Sequence, residues 1–238
     1  IRPMLNSPPQ ALKQCSSFDN GLVITLIGEM RRKDRMENIL EGNPGDIAAL
    51  ANDWISFARE DQLPPDTNWT IWLLLGGRGA GKTRAGAEWI RAQVLGKDPK
   101  RIALVAPSYG DAREVMIEGP SGLRALEWKG SPFSPPRFEA TRRRLVWENG
   151  ATAHIFSAEE PERLRGAQFP AAWCDEIGAW KNAQAVWDML QMGMRLGTTP
   201  RLIATTTPRP TPLLKQLLTR AGEENSGVVL TRSSSFDN

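Results

Sequence analysis

The groups best suited to chemistry lie in eight consecutive residues that fit the pattern G-x-x-x-x-G-K-[ST], namely Gly76-Gly77-Arg78-Gly79-Ala80-Gly81-Lys82-Thr83. Glycines let successive backbone N–H groups curl around an anion without Cβ clashes, and a following helix start adds partial positive charge. Lys82 is expected to reach the β- and γ-phosphates of a nucleotide, and the hydroxyl of Thr83 to bind Mg²⁺. The pattern therefore predicts a phosphate-binding loop, or P-loop.

A pair of acids, Asp175-Glu176, directly follows the apolar run 171–174. Asp175 is placed to hold Mg²⁺ through its water shell, as the aspartate of a Walker B motif does. Glu176 is placed to orient and deprotonate the water that attacks the γ-phosphate. Adjacent acids are also common on solvated surfaces, but an apolar strand before this pair, downstream of a P-loop, favours catalysis. We therefore expect one hydrolytic site that uses both acids, not a nuclease pair.

Two further side chains leave alternatives open. Arg78 lies inside the loop and could stabilise transition-state charge as an arginine finger does, or it could pair with a neighbouring carboxylate. Gln62 precedes Pro64-Pro65 and could read the adenine edge, because a side-chain amide matches its donor and acceptor. An exposed loop glutamine is the alternative.

Two clusters of identical residues also leave two interpretations open. Thr205-Thr206-Thr207 ends an apolar segment, and a hydroxyl at a strand tip can sense the γ-phosphate or its water. A plain strand end, where threonine is common, is the alternative. Arg142-Arg143-Arg144 could contact nucleic-acid phosphates, or it could be the solvated start of a hairpin.

Alternating segments must position these groups. Apolar runs that predict strands lie at 71–75, 102–106, 171–174, 202–206 and 228–230. Helical segments are predicted near 83–95, 109–117, 180–193 and 212–220. This alternation predicts an α/β fold, a P-loop NTPase core with a mostly parallel sheet and helices on both faces.

One stretch interrupts the alternation. Residues 144–148 and 151–157 flank Asn149-Gly150, a strong signal for a type I′ turn. We therefore expect an inserted antiparallel hairpin. Ahead of the first strand, apolar residues at helical spacing predict a helix from about residue 45 to Arg59, whereas residues 1–45 look poorly ordered.

Composition excludes several classes of protein. The 238 residues carry a net charge of +3, which permits a nucleic-acid partner without requiring one. Cys15 and Cys174 lie far apart in unlike contexts, so we expect no disulfide framework and a reducing compartment. The apolar run 22–27 is too short to span a membrane, and basic residues follow it instead of preceding it, unlike a secretory signal.

An ordered set of motifs resembles the large subunit of tailed-phage terminases, including those of prophages and gene-transfer agents. The resemblance begins with the P-loop and its flanks, residues 72–89, and covers about residues 50 to 238. The other matching segments, in order, are Val105-Ala106-Pro107-Ser108-Tyr109, Glu118-Gly119-Pro120-Ser121-Gly122-Leu123, Glu160-Pro161-Glu162-Arg163-Leu164-Arg165-Gly166, Asp175-Glu176 and Thr205-Thr206-Thr207-Pro208.

The resemblance implies an ATP-driven motor domain that packs double-stranded DNA into a viral procapsid. It implies ATP and Mg²⁺ as cofactors. As partners it implies double-stranded DNA, the terminase small subunit and the portal protein of the procapsid, with a homo-oligomer formed on docking. It makes Thr205-Thr206-Thr207 similar to the family's coupling motif, Gln62 an adenine-site residue and Arg78 a catalytic arginine. It places the protein in the cytoplasm of the bacterial host cell, without a membrane partner.

The resemblance also sets the expected domain organisation. Family members usually carry a C-terminal nuclease domain of ribonuclease-H-like fold, and this chain stops at Asn238, about where that domain would begin. We expect an N-terminal extension, residues 1–45, and a P-loop ATPase domain, residues 46–238, without nuclease activity. Two alternatives stay open: another P-loop motor such as a helicase, and a non-catalytic prophage remnant that acts as an assembly module.

Overall fold

The computed structural model describes residues 54–96, 100–126 and 134–233. The helices are α1 (Trp54–Phe57), α2 (Lys82–Val94), α3 (Tyr109–Asp111), α4 (Ala183–Gly193) and α5 (Pro212–Ala221). The strands are β1 (Ile71–Gly76), β2 (Arg101–Ala106), β3 (Arg137–Glu139), β4 (Arg144–Val146), β5 (Thr152–Ser157), β6 (Ala171–Asp175), β7 (Arg201–Thr206) and β8 (Val228–Ser233). A π-helical segment, Ala112–Ile117, continues α3, and 3₁₀ turns cover Glu60–Gln62, Ala140–Arg142, Pro161–Leu164 and Ile177–Ala179.

All eight strands form one sheet in the order β3-β4-β5-β2-β6-β7-β1-β8. From β5 to β8 the neighbouring strands run parallel, whereas β3, β4 and β5 pair antiparallel at one edge. The predicted mostly parallel sheet with an added antiparallel hairpin is therefore confirmed. Because parallel strands end at the same edge of a sheet, the residues that follow β1, β6 and β7 meet there.

Helices cover both faces of the sheet, as predicted. Side chains along β1 alternate between the faces. Trp72 shares a buried cluster with Ile90 of α2, whereas Leu73 shares another with Leu190 of α4 and Leu214 of α5. All six residues of β1 are buried, which explains the unbroken apolar run in the sequence. Within the described ranges, none of the helices is long and apolar enough to cross a membrane.

The four predicted helices from residue 83 onward are present, with ends that shift by up to three residues. The N-terminal cap of α5 is Thr211, whose hydroxyl accepts from the amide of Leu214 (3.4 Å). The helix predicted to end near Arg59 lies mostly outside the described residues, which include only α1 from it. Residues 1–45 lie wholly outside them, so the N-terminal extension and the domain division stay predictions.

The hairpin between β4 and β5 is present, but the predicted type I′ turn is wrong. That turn needs a positive φ at both central residues. Here Gly150 has a φ of 84°, whereas Asn149 is not among the left-handed residues. The amide of Trp147 donates to the carbonyl of Ala151 (3.0 Å), which closes a longer loop. The side chain of Asn149 donates to the carbonyl of Val94, so a tertiary contact with α2 sets the turn.

Candidate active site

The P-loop joins the end of β1 to the start of α2, in the strand–loop–helix arrangement that its pattern predicts. Gly79 and Gly81 have φ values of 77° and 79°, a left-handed backbone that residues with side chains rarely adopt. Left-handed residues in such a loop turn neighbouring N–H groups toward one point and form an anion nest. Because α2 begins at Lys82, the positive end of its macrodipole lies at the same place.

Lys82 links the loop to the acid pair. Its ammonium donates to the carbonyl of Gly77 (2.8 Å) and lies 3.7 Å from Oε1 of Glu176. Only 8% of the residue is exposed, so these contacts are largely shielded from water. An ammonium carries three donors, so the contacts to protein leave donor capacity for a phosphate oxygen. The structure therefore brings the two predicted halves of the site together.

Asp175, the last residue of β6, is buried and held by a relay of hydrogen bonds. The hydroxyl of Thr205 donates to its Oδ1 (2.6 Å), and the indole N–H of Trp173 donates to the same hydroxyl (3.0 Å). Burial raises the pKa of Asp175 to about 6. The Thr205 hydrogen bond and Lys82 oppose that rise, whereas Glu176 adds to it. A nearby cation would stabilise the charge that burial disfavours.

Glu176 adopts a left-handed backbone, with a φ of 47°, which is uncommon for a residue with a long side chain. Its Oε2 accepts from both the amide (3.1 Å) and the hydroxyl (2.9 Å) of Thr207. The side chain is 30% exposed, so the carboxylate is anchored yet open to solvent. Strained residues of this kind cluster at functional sites, where the surrounding structure holds them.

The three threonines at the end of β7 have different partners. Thr205 holds Asp175 and Thr207 holds Glu176, whereas the hydroxyl of Thr206 accepts from the amide of Gly178 (3.0 Å). All three therefore contact β6 or the turn after it. Their role in sensing phosphate or in coupling stays a prediction.

Thr83 and Asp175 offer a set of donors that fits Mg²⁺. The ion prefers hard oxygen ligands and keeps several of its waters, so one hydroxyl and one carboxylate suffice from the protein. Thr83, near the start of α2, has no hydrogen-bond partner for its hydroxyl among the described residues. Oδ2 of Asp175 lies beside the oxygen that Thr205 already bonds.

Gln62 is buried against the P-loop, with 6% of its surface exposed, so the alternative of an exposed loop glutamine is wrong. Its Oε1 accepts from the amide of Arg59 (3.1 Å), and its Nε2 donates to the carbonyl of Ala80 (3.4 Å). One N–H of the side-chain amide remains for a ligand. The adenine role of Gln62 stays a prediction.

Arg78 is exposed at the tip of the loop. In the part of the chain that the structure describes, its guanidinium forms no ion pair with a carboxylate. The pairing alternative is therefore not observed. The catalytic role of Arg78 stays a prediction.

Sequence reasoning missed two residues that contact the loop. Nη2 of Arg59 donates to the carbonyl of Ala80 (2.7 Å), and so does the hydroxyl of Ser233 at the end of β8 (3.0 Å). The sequence indicates the strand β8 through the apolar run at its start, but this run predicts neither the strand with which β8 pairs nor the register of that pairing.

The arginines 142–144 lie away from this site, and each pairs with an acid. Arg142 and Arg144 lie 3.9 and 2.6 Å from Glu139, and Arg143 lies 2.8 Å from Glu160. A cavity of about 340 Å³ beside them is lined mainly by Arg101, Arg142, Arg143, His154, Arg163 and Arg165. Because carboxylates already offset much of this positive charge, the solvated hairpin start is the better description of the cluster.

Most of the chain matches a known protein family. Residues 73–237 match the family described as terminase large subunit, T4likevirus-type, N-terminal. No curated protein matches the sequence.

Solved structures share the fold at low sequence identity. The large terminase of a thermophilic bacteriophage has a TM-score of 0.58 and 14% identity, over 78% of this chain and 44% of that chain. The large terminase ATPase domain of Thermus phage P74-26 gives the same score and identity, over 81% and 85%. The N-terminal domain of the DNA packaging ATPase from bacteriophage phi29 gives 0.53 and 13%, over 71% and 93%.

The chain thus spans less than half the length of the thermophilic bacteriophage's large terminase, which is also known in complex with ATP-γ-S. At these identities the structural likeness establishes the fold alone. The family match covers the P-loop lysine, the acid pair and the threonines of β7. Together with that match, the mostly parallel sheet and its P-loop show that this chain belongs to the terminase large-subunit family, as the N-terminal region of its T4-like-virus type.

Proposed function

We propose that this chain hydrolyses ATP and uses the energy to move double-stranded DNA into a viral procapsid. The observation that carries the proposal is the meeting of Lys82 and Glu176, 3.7 Å apart, at the edge of the sheet where β1 and β6 end. A P-loop facing an acid pair is the arrangement that phosphoryl transfer to water requires. Family membership supplies the link to DNA packaging.

In the proposed mechanism, the nest of the P-loop binds the phosphates and Lys82 contacts the β- and γ-oxygens. Glu176 accepts a proton from the water that attacks in line with the leaving oxygen. Lys82 and Arg78 offset the charge that develops on the transferred group. Thr83 and Asp175 would hold Mg²⁺, which when bound neutralises phosphate charge.

The threonines of β7 would couple this reaction to movement. The hydroxyl and amide of Thr207 hold Glu176, so a carboxylate that turns toward the attacking water gives up two hydrogen bonds to the residue that follows β7. Thr206 ties the same strand end to the turn after β6 through Gly178. A change at Glu176 would therefore reach the end of β7 directly.

The relatives guide the choice of substrate and partners. The large terminase of the thermophilic bacteriophage binds ATP-γ-S and ADP, and the phi29 relative is a DNA packaging ATPase. We propose that this chain binds ATP, with Gln62 at the adenine. We further propose that it works in the cytoplasm of the bacterial host with double-stranded DNA, a terminase small subunit and a portal protein, as a docked homo-oligomer.

A phosphate-release assay with and without duplex DNA tests this function. We predict Mg²⁺-dependent ATP hydrolysis that Lys82→Ala abolishes, because the variant loses the ammonium next to the phosphates. Lys215→Ala is the matched control, since Lys215 is an exposed lysine on α5, and it should keep wild-type turnover.

Undiminished turnover in Lys82→Ala would contradict the assigned site. Strand separation by the wild-type protein would favour a helicase. No hydrolysis with DNA and a docking partner both present would favour a non-catalytic assembly module.

A further inference from the structure

The carbonyl of Ala80, inside the P-loop, is held by side chains from outside the loop. Nη2 of Arg59 donates to it at 2.7 Å, Oγ of Ser233 at 3.0 Å and Nε2 of Gln62 at 3.4 Å. Nη2 of Arg59 also donates to Oγ of Ser233 (3.0 Å), so these two side chains and the carbonyl form a closed triangle. Ser233 is only 7% exposed, and water therefore competes weakly for these bonds.

The same peptide group carries the N–H of Gly81. The C=O and N–H of a trans peptide point in opposite directions. Donors that hold the Ala80 carbonyl therefore direct the Gly81 N–H to the other side of the chain. Among the described residues this N–H has no hydrogen-bond partner, as a donor of the anion nest requires. A flipped peptide would present an oxygen to the phosphate instead.

Two glycines of the motif make room for this arrangement. β8 pairs with β1 so that Ser233 lies opposite Gly76, and a Cβ at Gly76 would come within 3.1 Å of the carbonyl of Ser233. A Cβ at Gly81 would overlap Nε2 of Gln62. The absence of these side chains thus lets neighbouring segments reach the back of the loop.

We propose that Arg59 and Ser233 are positioning residues that fix the Ala80–Gly81 peptide and thereby set the affinity of the P-loop for phosphate groups. The inference rests on the proposed nucleotide site and deepens it. In this proposal both side chains act on the ligand through one backbone N–H and not by direct contact. Hydrogen bonds that involve a charged group change an equilibrium constant by roughly tenfold or more.

Pyrophosphate is the probe, because it can occupy a phosphate nest without a base and without hydrolysis. Calorimetric titration measures its affinity, and that of MgADP, for the 238-residue chain and for Arg59→Gln, Ser233→Ala and the double variant. We expect each single variant to weaken both ligands by roughly tenfold. The double variant should weaken them little more, because both residues act on one peptide. Arg59→Lys keeps the charge and should recover part of the affinity.

Arg232→Gln is the matched control, since it changes an exposed neighbour of Ser233 on β8, and it should bind like wild type. The Tm of each variant separates positioning from folding. If Arg59→Gln does not fold, Ser233→Ala carries the test, because it removes a single hydroxyl. Wild-type pyrophosphate affinity in Ser233→Ala, at an unchanged Tm, would overturn the proposal.

The proposed function fails in a distinguishable way. A wild-type chain that binds pyrophosphate but does not hydrolyse ATP contradicts the motor assignment and leaves the positioning of the loop testable by binding. A wild-type chain that binds neither pyrophosphate nor MgADP overturns the nucleotide site and this inference with it.

Discussion

At the scale of single residues, the buried carboxyl of Asp175, which is proposed to hold Mg²⁺, lowers the stability of the fold when it is ionised. Burial raises its pKa from 3.8 to about 6, the hydroxyl of Thr205 opposes the rise, and Glu176 adds to it. A carboxyl whose pKa is higher in the folded than in the unfolded state lowers the stability of the fold, and this loss begins as the pH rises above the unfolded pKa and is complete above the folded pKa. The effect disappears below the unfolded pKa, where both states are protonated.

We predict that Asp175→Asn stabilises the ligand-free protein at pH 8, by up to about 3 kcal/mol, and by about half as much at pH 5. Asparagine keeps an acceptor for the hydroxyl of Thr205 and carries no charge. Urea unfolding of both proteins in EDTA at the two pH values measures the difference. A variant that is less stable than wild type at pH 8, or a difference that does not change with pH, would contradict this reading.

The sequence was sufficient to predict those site residues that lie next to one another in a contiguous motif. The P-loop and Asp175-Glu176 are contiguous motifs, so residue types alone named them. Arg59 and Ser233 reach the loop only because β8 pairs with β1 in one register, which no local pattern specifies. The separate partners of the β7 threonines likewise depend on the register between β6 and β7.

At the scale of elements, α2 and β6 approach so closely that no side chain fits between them. A Cβ at Gly86 of α2 would overlap the indole of Trp173 in β6. That indole donates to Thr205, whose hydroxyl donates to Asp175. The packing of a helix on a strand is therefore connected to the position of the acid.

We predict that Gly86→Ala destabilises the protein by about 1–3 kcal/mol, because Trp173 must move. The direction of the change in stability distinguishes the two effects, since a Gly→Ala change inside a helix ordinarily stabilises a protein by about 1 kcal/mol. Gly110→Ala is the control, because Gly110 is exposed in α3 and a Cβ there would meet no atom closer than 3.6 Å. Thermal unfolding decides, and equal Tm values for both variants would show that the contact with Trp173 does not matter.

The longer strands could be predicted from the sequence because parallel strands that are buried on both faces have unbroken runs of apolar residues. β3 was not predicted, since the three residues Arg137-Phe138-Glu139 are too few to show alternation. Pairing with β4 and the contact between Arg144 and Glu139 (2.6 Å) accompany that strand. The turn type was wrong for a related reason, because Asn149 bonds a carbonyl at the end of α2. Such contacts exist only after the elements have packed.

At the scale of the whole molecule, the strand order places β7 between β1 and β6. The P-loop and the acid pair therefore lie on either side of β7, and hydroxyls at its end contact both acids. Alternating segments predicted a parallel sheet, but the order of its strands follows from long-range pairing that the sequence does not display. Because of this strand order, β7 is the element proposed to couple ATP hydrolysis to DNA movement.

Glu176 is proposed to activate the water that attacks ATP held by the P-loop, and the Glu176→Gln variant separates this step from ATP binding. Glutamine keeps an acceptor for Thr207 but cannot take the proton. Turnover and the affinity for a fluorescent ATP analogue are measured together, with Glu159→Gln, an exposed glutamate outside the site, as the control. We predict turnover reduced by about a hundredfold or more with ATP affinity retained. Undiminished turnover in Glu176→Gln would show that Glu176 is not the base that activates the water.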